Sequence, residues 1–346
     1  MSYCLDPNCS QPENPDDAKY CHTCGGELKL KDRYRTLKPL GQGGFGKTFL
    51  AIDEDKPSQP YCVIKQFFPL ATGKSAIAKA AELFQREAIQ LDELGIHPQI
   101  PDLLAYFSLR DRQYLVQEFI AGDHLGGELG KLGIFDEIKV RALLENLLPV
   151  LAFVHEHQVI HRDIKPENII RRQSDHLLFL VDFGASKIIN AKTLQETGTA
   201  IGSAGFVAPE QAIGRATYAS DIYSLGVTCI SLLTGLHPFD LFDIHEGIWI
   251  WKKYLKHPIR ADLRQILDKM LMAAMSQRYG SISEILQDLQ TISTAIDLEL
   301  EQLQTQFTGV SSQKAIAPPT VTSQSQIDRE LEELQSEYWG ENKTSS

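Results

Sequence analysis

The sequence of 346 residues predicts an α+β fold, in which a β-rich part is followed by a mainly helical part. Three observations support this prediction. Hydrophobic residues make up 43% and charged residues 23% of the chain, as in globular proteins that bury a substantial core. Short apolar runs around a glycine-rich octet at residues 41–48 predict strands joined by a tight loop. The longest uncharged stretch, Ile222 to Phe239, contains Ser, Thr, Gly and Pro residues, which favours a buried core helix over a membrane span.

The distribution of charge predicts three parts. Residues 1–30 carry a net charge of −3 and residues 296–346 carry −6, which leaves −2 for residues 31–295. We therefore expect a near-neutral central domain between two acidic appendages. The total of −11 argues against a dedicated nucleic-acid binder, because such proteins show basic faces.

The start of the chain is acidic and lacks the basic residues and apolar run of a signal peptide. We therefore expect a soluble, cytoplasmic protein without a membrane segment. In that compartment stable disulfides are rare.

Residues 1–30 contain four cysteines with the spacing C-x4-C-x11-C-x2-C: Cys4, Cys9, Cys21 and Cys24. Four thiolates suit tetrahedral zinc, and two glycines after the last cysteine let the backbone turn around the sulfurs. Thirty residues are too few to fold without a cross-link, so we predict a zinc-ribbon-like module. Three alternatives stay open: His22 as a competing ligand, a redox switch that closes disulfides, and unrelated thiols on a flexible tail.

The octet at residues 41–48 reads GQGGFGKT and fits two phosphate-binding patterns. Gly41, Gly43 and Gly46 fit G-x-G-x-x-G, and the whole octet fits the G-x-x-x-x-G-K-T loop of P-loop NTPases. A P-loop must continue into a helix. Here a short apolar run and a turn follow Thr48, and a second apolar run ends at Lys65. The context therefore predicts strand, loop, strand, turn and strand.

Further motifs follow in a fixed order. Lys65 ends the run Cys62-Val63-Ile64-Lys65, and Glu87 lies in an amphipathic stretch 22 residues later. Residues 161–168 read HRDIKPEN, residues 182–184 read DFG and residues 208–210 read APE. Over residues 34–292 this ordered set resembles the protein kinase family, specifically its Ser/Thr branch. With the four cysteines, the chain resembles the four-Cys kinases of cyanobacteria.

The resemblance implies a two-lobed kinase fold, with a β-rich small lobe at about residues 31–120 and a helical large lobe at about residues 121–295. It implies that the glycines approach the ATP phosphates, that Lys65 pairs with the α- and β-phosphates, and that Glu87 holds Lys65 by an ion pair. Gln117 would be a polar gatekeeper residue next to the adenine. The implied ATP-binding residues are Leu40, Gly41, Gly43, Gly46, Thr48, Lys65, Glu118 and Ile120.

For phosphoryl transfer, the resemblance implies Asp163 as the catalytic base and Lys165 as the group that steadies the γ-phosphate. Asn168 and Asp182 would bind Mg²⁺, which prefers oxygen ligands. Arg162 would meet a phosphate on the activation segment, for which Thr199 is the predicted site. An unmodified loop threonine is the alternative.

Residues outside the chemistry also match the family. Asp221 would begin the buried central helix of the large lobe. Glu210 and Arg278 would form a buried ion pair.

The carboxyl-terminal residues contain a near-repeat. Residues 296–309 and 327–340 are identical at eight of fourteen positions, and both place apolar residues at helical spacing opposite carboxylates. We predict two amphipathic helices joined by a flexible linker at residues 310–326. They would dock on the kinase, pair with each other or recruit a partner protein; a weakly ordered solubilising tail is the alternative.

The predicted function is therefore a Ser/Thr protein kinase that uses ATP and Mg²⁺ on protein substrates, with redox or metal regulation through a zinc-binding module. A pseudokinase scaffold that signals through its zinc module and tail is the rival, and a P-loop NTPase comes third. The sequence contains every charged residue that transfer needs, which favours the first.

Overall fold

A computed structural model of the chain describes residues 1–42, 46–68, 73–110, 112–188 and 202–290. Gly43, Thr199 and the predicted helices within residues 296–346 lie outside the described residues.

The amino-terminal half is built on an antiparallel sheet of six strands in the order β3-β4-β5-β6-β8-β7. A separate pair, β1 and β2, precedes it within the four-cysteine module. The elements are β1 (Ser2–Tyr3), β2 (Glu13–Asn14), β3 (Lys29–Leu30), β4 (Tyr34–Gln42), β5 (Gly46–Asp53), β6 (Tyr61–Phe67), α1 (Lys74–Leu94), β7 (Leu103–Leu109) and β8 (Arg112–Glu118).

Helix α1 packs on one face of this sheet. Its buried residues recur at helical spacing, and the ring of Phe84 lies 5.4 Å from that of Phe67 on β6. Glu87 lies on this apolar stripe and is 3% exposed, so a carboxylate is buried where the pattern calls for a hydrophobic residue. Gly95 follows the helix and donates its amide to Leu91.

The four-cysteine module packs on the same sheet, against a second apolar cluster. Leu5 of the module joins this small-lobe core, which includes Tyr34, Phe49, Ile64 and Val116. The module therefore contributes Leu5 to the core of the sheet, besides a small cluster of its own around Cys4, Cys21 and Leu28.

The second half is mainly helical. Its helices are α2 (Leu125–Leu132), α3 (Glu137–Glu156), α4 (Pro209–Ala212), α5 (Tyr218–Thr234), α6 (Pro238–Leu241) and α7 (Ala261–Met270). Its strands are β9 (Gly122–His124), β10 (Val159–Ile160), β11 (Ile169–Arg172), β12 (Leu178–Leu180), β13 (Lys187–Ile188), β14 (Phe242–Asp243) and β15 (Ile248–Trp249). A three-stranded sheet, β12-β11-β9, and the pair β10-β13 carry the loops of the site.

Helix α5 is the buried core helix that the uncharged run predicts. The run reaches Phe239, but the helix ends at Thr234 because Gly235 adopts φ +71° and Pro238 begins the short α6. A capping box between Thr217 and Ser220 fixes its start. Within the described residues, no helix is both long and apolar enough to cross a membrane.

Candidate active site

The strand register brings three predicted nucleotide residues side by side. Gly41 on β4 pairs with Thr48 on β5, and Thr48 pairs with Lys65 on β6. This row therefore lies close to the end of β4 and the start of β5. The strand-loop-strand prediction is confirmed, since β5 continues as a strand where a P-loop would begin a helix.

Lys65 contacts two carboxylates from distant parts of the chain. Its Nζ forms a salt bridge with Glu87 of α1 and lies 3.0 Å from Oδ1 of Asp182. The predicted pair of Lys65 and Glu87 is therefore present in the structure. Asp182 keeps 49% of its side-chain surface exposed, so it remains accessible from the cleft.

These contacts shift the pKa of all three groups. Burial alone would lower the pKa of Lys65, but the charges of Asp182 and Glu87 outweigh it and hold that pKa above its ordinary value. Lys65 in turn lowers the pKa of Asp182. Burial raises the pKa of Glu87 despite the attraction of Lys65. Lys65 therefore presents a fixed positive charge at neutral pH.

Asp163 lies at the centre of a second set of contacts. Its Oδ2 accepts a hydrogen bond from Nδ2 of Asn168 at 2.9 Å and lies 2.9 Å from Nζ of Lys165. Its Oδ1 accepts the backbone N–H of Ser203 at 2.8 Å, and Lys165 also donates to the Ser203 hydroxyl at 2.5 Å. The structure therefore brings Asp163, Lys165 and Asn168 together, as predicted.

Residues 161 and 162, which precede Asp163, are held by Asp221 in the first turn of α5. Its two carboxylate oxygens accept the backbone amides of His161 at 2.9 Å and of Arg162 at 2.8 Å. His155 of α3 lies 2.9 Å from the same carboxylate. Asp221 is fully buried. Arg162, the residue before Asp163, is therefore fixed to α5, which runs through the core of the large lobe.

Two residues of the site adopt left-handed backbone conformations. Arg162 has φ +67° and Asp182 has φ +68°, each next to or at a predicted functional carboxylate. Such conformations are costly for residues other than glycine and occur where surrounding contacts hold them. Here the Asp221 bond holds Arg162 and the Lys65 contact holds Asp182.

The side chain of Arg162 contacts the segment that follows Asp182. Its guanidinium donates to the carbonyls of Ala185 and Ser186, the latter at 3.1 Å, and burial lowers its pKa to about 10. Its contact with a phosphorylated Thr199 stays a prediction, because Thr199 lies outside the described residues.

A cleft of about 390 Å³ joins the two sets of contacts. Its lining includes Gly46, Thr48, Lys65, Glu87, Asp163, Lys165, Asp182 and Ser203. This volume is within the usual range for small-molecule sites.

Of the predicted ATP-binding residues that the structure describes, four do not line this cleft: Leu40, Gly41, Glu118 and Ile120. Leu40 is exposed on β4, Glu118 ends β8 and Ile120 is buried just beyond it. The nucleotide-binding roles of these residues stay predictions. The polar gatekeeper Gln117 is buried and pairs with Val63 across β8 and β6.

A comparison with known families decides the classification, since a model described as the protein kinase domain matches residues 34–289. The chain belongs to the protein kinase family. Serine/threonine-protein kinase B of Synechocystis sp. is 43% identical over 299 residues, which cover 84% of this chain and 52% of that protein. Serine/threonine-protein kinase PknA of Nostoc sp. is 43% identical over 271 residues, or 76% and 48%. Serine/threonine-protein kinase PrkC of Bacillus subtilis is 32% identical over 215 residues, or 61% and 32%. The chain spans about half the length of the cyanobacterial relatives.

Sequence reasoning on the kinase domain missed the role of Ser203. The sequence predicts only a phosphorylation site at Thr199 in this segment. The structure instead shows Ser203 bonded to both Asp163 and Lys165. A hydroxyl residue after Gly202, shortly before the APE motif, is the signal in the sequence.

The structure shows why position 46 of the kinase domain requires a glycine, which the sequence did not show. A side chain there would overlap the carbonyl oxygen of Gln66, because β5 and β6 approach closely at this pair of strands. At Gly41 a Cβ would meet open space. Gly46 is therefore required by strand packing as well as by any approach to phosphate.

The four cysteines that precede the kinase domain form one cluster. Their sulfur atoms all lie within 4.8 Å of one another, with Cys4 and Cys24 at 3.5 Å and Cys9 and Cys21 at 3.6 Å. Four sulfurs bound tetrahedrally to zinc, at about 2.3 Å each, lie about 3.8 Å apart, so the cluster fits that metal. The cluster contradicts the alternative of unrelated thiols on a flexible tail.

Polar groups around the cluster favour the thiolate form of Cys21, whereas burial raises the pKa of Cys4 and of Cys9. Asn14 donates to the sulfur of Cys21 at 3.5 Å, and the amide of Asp6 donates to that of Cys4 at 3.5 Å. Burial raises the pKa of Cys21, but bonds from the amides of Cys24 and Thr23 and from Asn14 outweigh it and lower that pKa to about 6. His22 is exposed and is not one of the clustered residues.

Proposed function

We propose that the protein is a Ser/Thr protein kinase that transfers the γ-phosphoryl group of ATP to hydroxyl groups of protein substrates. One observation carries this proposal: the carboxylate of Asp163 and the ammonium of Lys65 face a common cleft, each held by its own set of polar contacts. Phosphoryl transfer needs little covalent chemistry from the protein, so positioning and charge account for most of the catalysis.

On the acceptor side, Asp163 would accept or orient the proton of the substrate hydroxyl. Its hydrogen bonds from Ser203 and Asn168 fix the plane of the carboxylate. Lys165, 2.9 Å from Asp163, would place its positive charge beside the transferred group. The acceptor site therefore needs no rearrangement of these three side chains.

On the nucleotide side, Lys65 would bind the α- and β-phosphates while Glu87 keeps the ammonium in place. When bound, Mg²⁺ neutralises the charge of the phosphates. The carboxylate of Asp182 and Oδ1 of Asn168 would hold it; the Asn168 Nδ2 already donates to Asp163, which leaves the carbonyl oxygen for a metal.

The test is transfer from labelled ATP with Mg²⁺, measured on Asp163→Asn and Lys65→Met beside the unchanged protein. Asp163→Asn keeps the shape of the side chain, and we expect kcat to fall about 10²- to 10⁴-fold with a nearly unchanged KM for ATP. Lys65→Met should raise the KM for ATP as well. Asp175→Asn, a carboxylate of an exposed surface pair, is the matched control.

Equal labelling of all four proteins would contradict catalysis at this site. In that case the rival proposal, a scaffold of kinase fold without activity, would gain support. Labelling lost only in Asp163→Asn and Lys65→Met would exclude it.

The cysteine cluster supports a second part of the proposal, a bound zinc ion. We expect about one equivalent of zinc in freshly purified, reduced protein and much less in Cys24→Ser, as for other four-thiolate sites. A zinc content far below one equivalent in the unchanged protein would leave the redox switch as the better account.

The protein substrates, the cytoplasmic location and a partner for the carboxyl-terminal residues stay predictions. By the resemblance to the Ser/Thr branch, the preference for Ser and Thr would depend on Lys165. Its contacts with Asp163 and Ser203 support a role at the acceptor end of the cleft.

A further inference from the structure

One buried side chain links the four-cysteine module to the nucleotide-binding sheet. Nε2 of Gln66 donates to the carbonyl oxygen of Leu5 at 2.9 Å and lies 3.2 Å from the hydroxyl of Tyr114. Gln66 is fully buried. Burying an amide is costly unless it forms hydrogen bonds, so the contact with Leu5 is part of what allows this polar residue inside the sheet.

Leu5 is tied to the cysteine cluster on one side and to the sheet on the other. It follows Cys4 directly, and the next amide, that of Asp6, donates to the Cys4 sulfur. Its own side chain belongs to the small-lobe core, beside Phe49 and Ile64. A change in the position of the Cys4 sulfur must therefore move a backbone segment whose side chain and carbonyl are both held by the sheet.

Gln66 is next to Lys65 on β6. Successive side chains of a strand point to opposite faces, so Lys65 reaches Glu87 on the α1 side while Gln66 reaches the module on the other. The backbone of Gln66 also lies against Gly46, at the start of β5 after the glycine-rich loop. Gln66 is thus adjacent to Lys65 in sequence and contacts both Leu5 of the module and Gly46 at the start of β5.

A second contact fixes the module to the same sheet. Nη1 of Arg35 on β4 donates to the Ser2 hydroxyl at 2.9 Å and to the Ala18 carbonyl at 3.1 Å. Arg35 also pairs with Glu54, beyond the end of β5. Arg110 and Arg112 also pair with Glu27 and Asp6 of the module. Of these contacting side chains, that of Gln66 is adjacent in sequence to Lys65.

We infer that Gln66 is a positioning residue through which metal binding at the four cysteines and ATP binding in the cleft strengthen each other. This rests on the kinase function and the zinc site proposed above. When the metal is bound, Leu5 is fixed and Gln66 holds β6, so Lys65 already has the position in which it binds ATP. When the metal is removed, Leu5 is no longer fixed, and part of the free energy of ATP binding is used to order β6 again.

Coupling between two sites is reciprocal, and measured cases usually span about 5- to 150-fold in affinity. We expect a value near the lower end, about tenfold, because a single hydrogen bond and one buried side chain carry the link. Metal should tighten ATP binding by the same factor by which ATP tightens metal binding.

The experiment measures the Kd of a non-hydrolysable ATP analogue with Mg²⁺, on the full chain with zinc bound and after removal of zinc by a zinc-selective chelator under reducing conditions. In the unchanged protein, removal should weaken binding about tenfold. In Gln66→Met, which keeps the volume but not the donor, the zinc-bound form should bind about as weakly as the zinc-free unchanged protein, and removal should add less than about twofold. Tyr114→Phe removes the other contact of Gln66 and should keep the full zinc effect.

A zinc effect of equal size in the unchanged protein and in Gln66→Met would overturn the inference, as would a zinc effect lost in Tyr114→Phe alone. Should Gln66→Met not fold, the reciprocal measurement decides on the unchanged protein. Its zinc affinity, from competition with a chromophoric chelator, must rise about tenfold with the analogue present, and an unchanged zinc affinity contradicts the coupling. Absence of any analogue binding to the zinc-bound protein would instead contradict the proposed kinase function, whereas binding that ignores zinc contradicts only the link.

Discussion

Among single residues, Ser203 completes the surroundings of Asp163, the proposed base. Its amide reaches one oxygen of Asp163 and its hydroxyl accepts from Lys165, so one residue orients both groups of the acceptor site. Replacing Ser203 by alanine keeps the backbone contact and removes the hydroxyl contact. The two contributions can therefore be separated by experiment.

We predict that Ser203→Ala lowers kcat about tenfold, which corresponds to about 1.4 kcal/mol of lost transition-state stabilisation. Lys165 loses the acceptor that fixes its ammonium, while the Asp163 contact with the backbone remains. Ser203→Thr keeps the hydroxyl and should stay within about threefold of the unchanged protein. Steady-state kinetics at saturating ATP provide the measurement, and equal rates for the alanine and threonine variants would contradict this role.

How far single residues could be foreseen depends on how local their contacts are. Lys65, Glu87, Asp163, Asn168 and Asp182 were predicted because their spacing matches a known family. The positive φ of Arg162 and the hydrogen bond from Ser203 were not, because both depend on packing between segments 40 to 59 residues apart. Sequence patterns report periodicity and spacing, and they do not report such contacts.

Among the elements, β5 and β6 approach so closely at Gly46 that a side chain there meets backbone. Backbone atoms cannot move aside as a flexible side chain can. A side chain at position 46 would therefore force β5 and β6 apart at the first residue of β5, close to Lys65.

We predict that Gly46→Ala lowers the free energy of unfolding by about 1 to 3 kcal/mol, the usual cost of overpacking. For a domain of this size the melting temperature should fall by about 2 to 4 °C for each kcal/mol. Gly41→Ala is the matched control, because its Cβ would meet open space. Thermal unfolding of both variants is the measurement, and equal melting temperatures would contradict the packing argument.

The short helix α4 is fixed to the large lobe by an ion pair. Glu210 lies 2.7 Å from Arg278, whose side chain is fully buried, and also accepts the Ser220 hydroxyl at 2.7 Å. Burial raises the pKa of Glu210, but Arg278 and Ser220 outweigh it, so that pKa lies below its ordinary value. The predicted buried pair is thereby confirmed.

We predict that Glu210→Gln destabilises the protein by about 3 to 5 kcal/mol at neutral pH, because Arg278 is left buried without a counter-charge. A carboxyl whose pKa is lowered by folding contributes stability that is present above its unfolded pKa and is lost as the pH falls. The difference between the two proteins should therefore shrink from about pH 5 towards pH 3. Denaturant unfolding across this range is the measurement, and a difference independent of pH would contradict the assignment.

At the scale of the whole molecule, the four-cysteine module and the small lobe share a hydrophobic core. Leu5 lies outside the residues that match the kinase family, yet it packs with Tyr34, Phe49 and Ile64 inside that region. Charge and cysteine spacing predict a boundary at residue 30. In the folded protein, residues on both sides of this boundary pack into the same small-lobe cluster.

We predict that Leu5→Ala lowers the free energy of unfolding by about 2 to 5 kcal/mol, as expected for a leucine deleted from a packed core. Leu132→Ala, at a residue 71% exposed, is the control and should change stability by less than about 0.5 kcal/mol. Thermal or denaturant unfolding followed by a small-lobe signal is the measurement. A Leu5 variant as stable as the Leu132 variant would show that the module is not part of the core.

The module also marks the limit of sequence reasoning about the whole molecule. Cysteine spacing was enough to predict the cluster, because a metal requires its ligands to converge. The surface on which the module docks was not predicted, since it depends on Leu5 and Gln66, which are 61 residues apart and ordinary in their local sequence.

The anchoring of the catalytic loop by Asp221 has a consequence for how such a protein diverges. Arg162, next to Asp163, is held by Asp221 of the buried helix α5. Gln66, next to Lys65, is held by Leu5 of the four-cysteine module. If the proposed link holds, substitutions near the amino terminus change the affinity for ATP while Asp163 keeps its position. Relatives with altered cysteine segments would differ first in nucleotide affinity and only later in turnover.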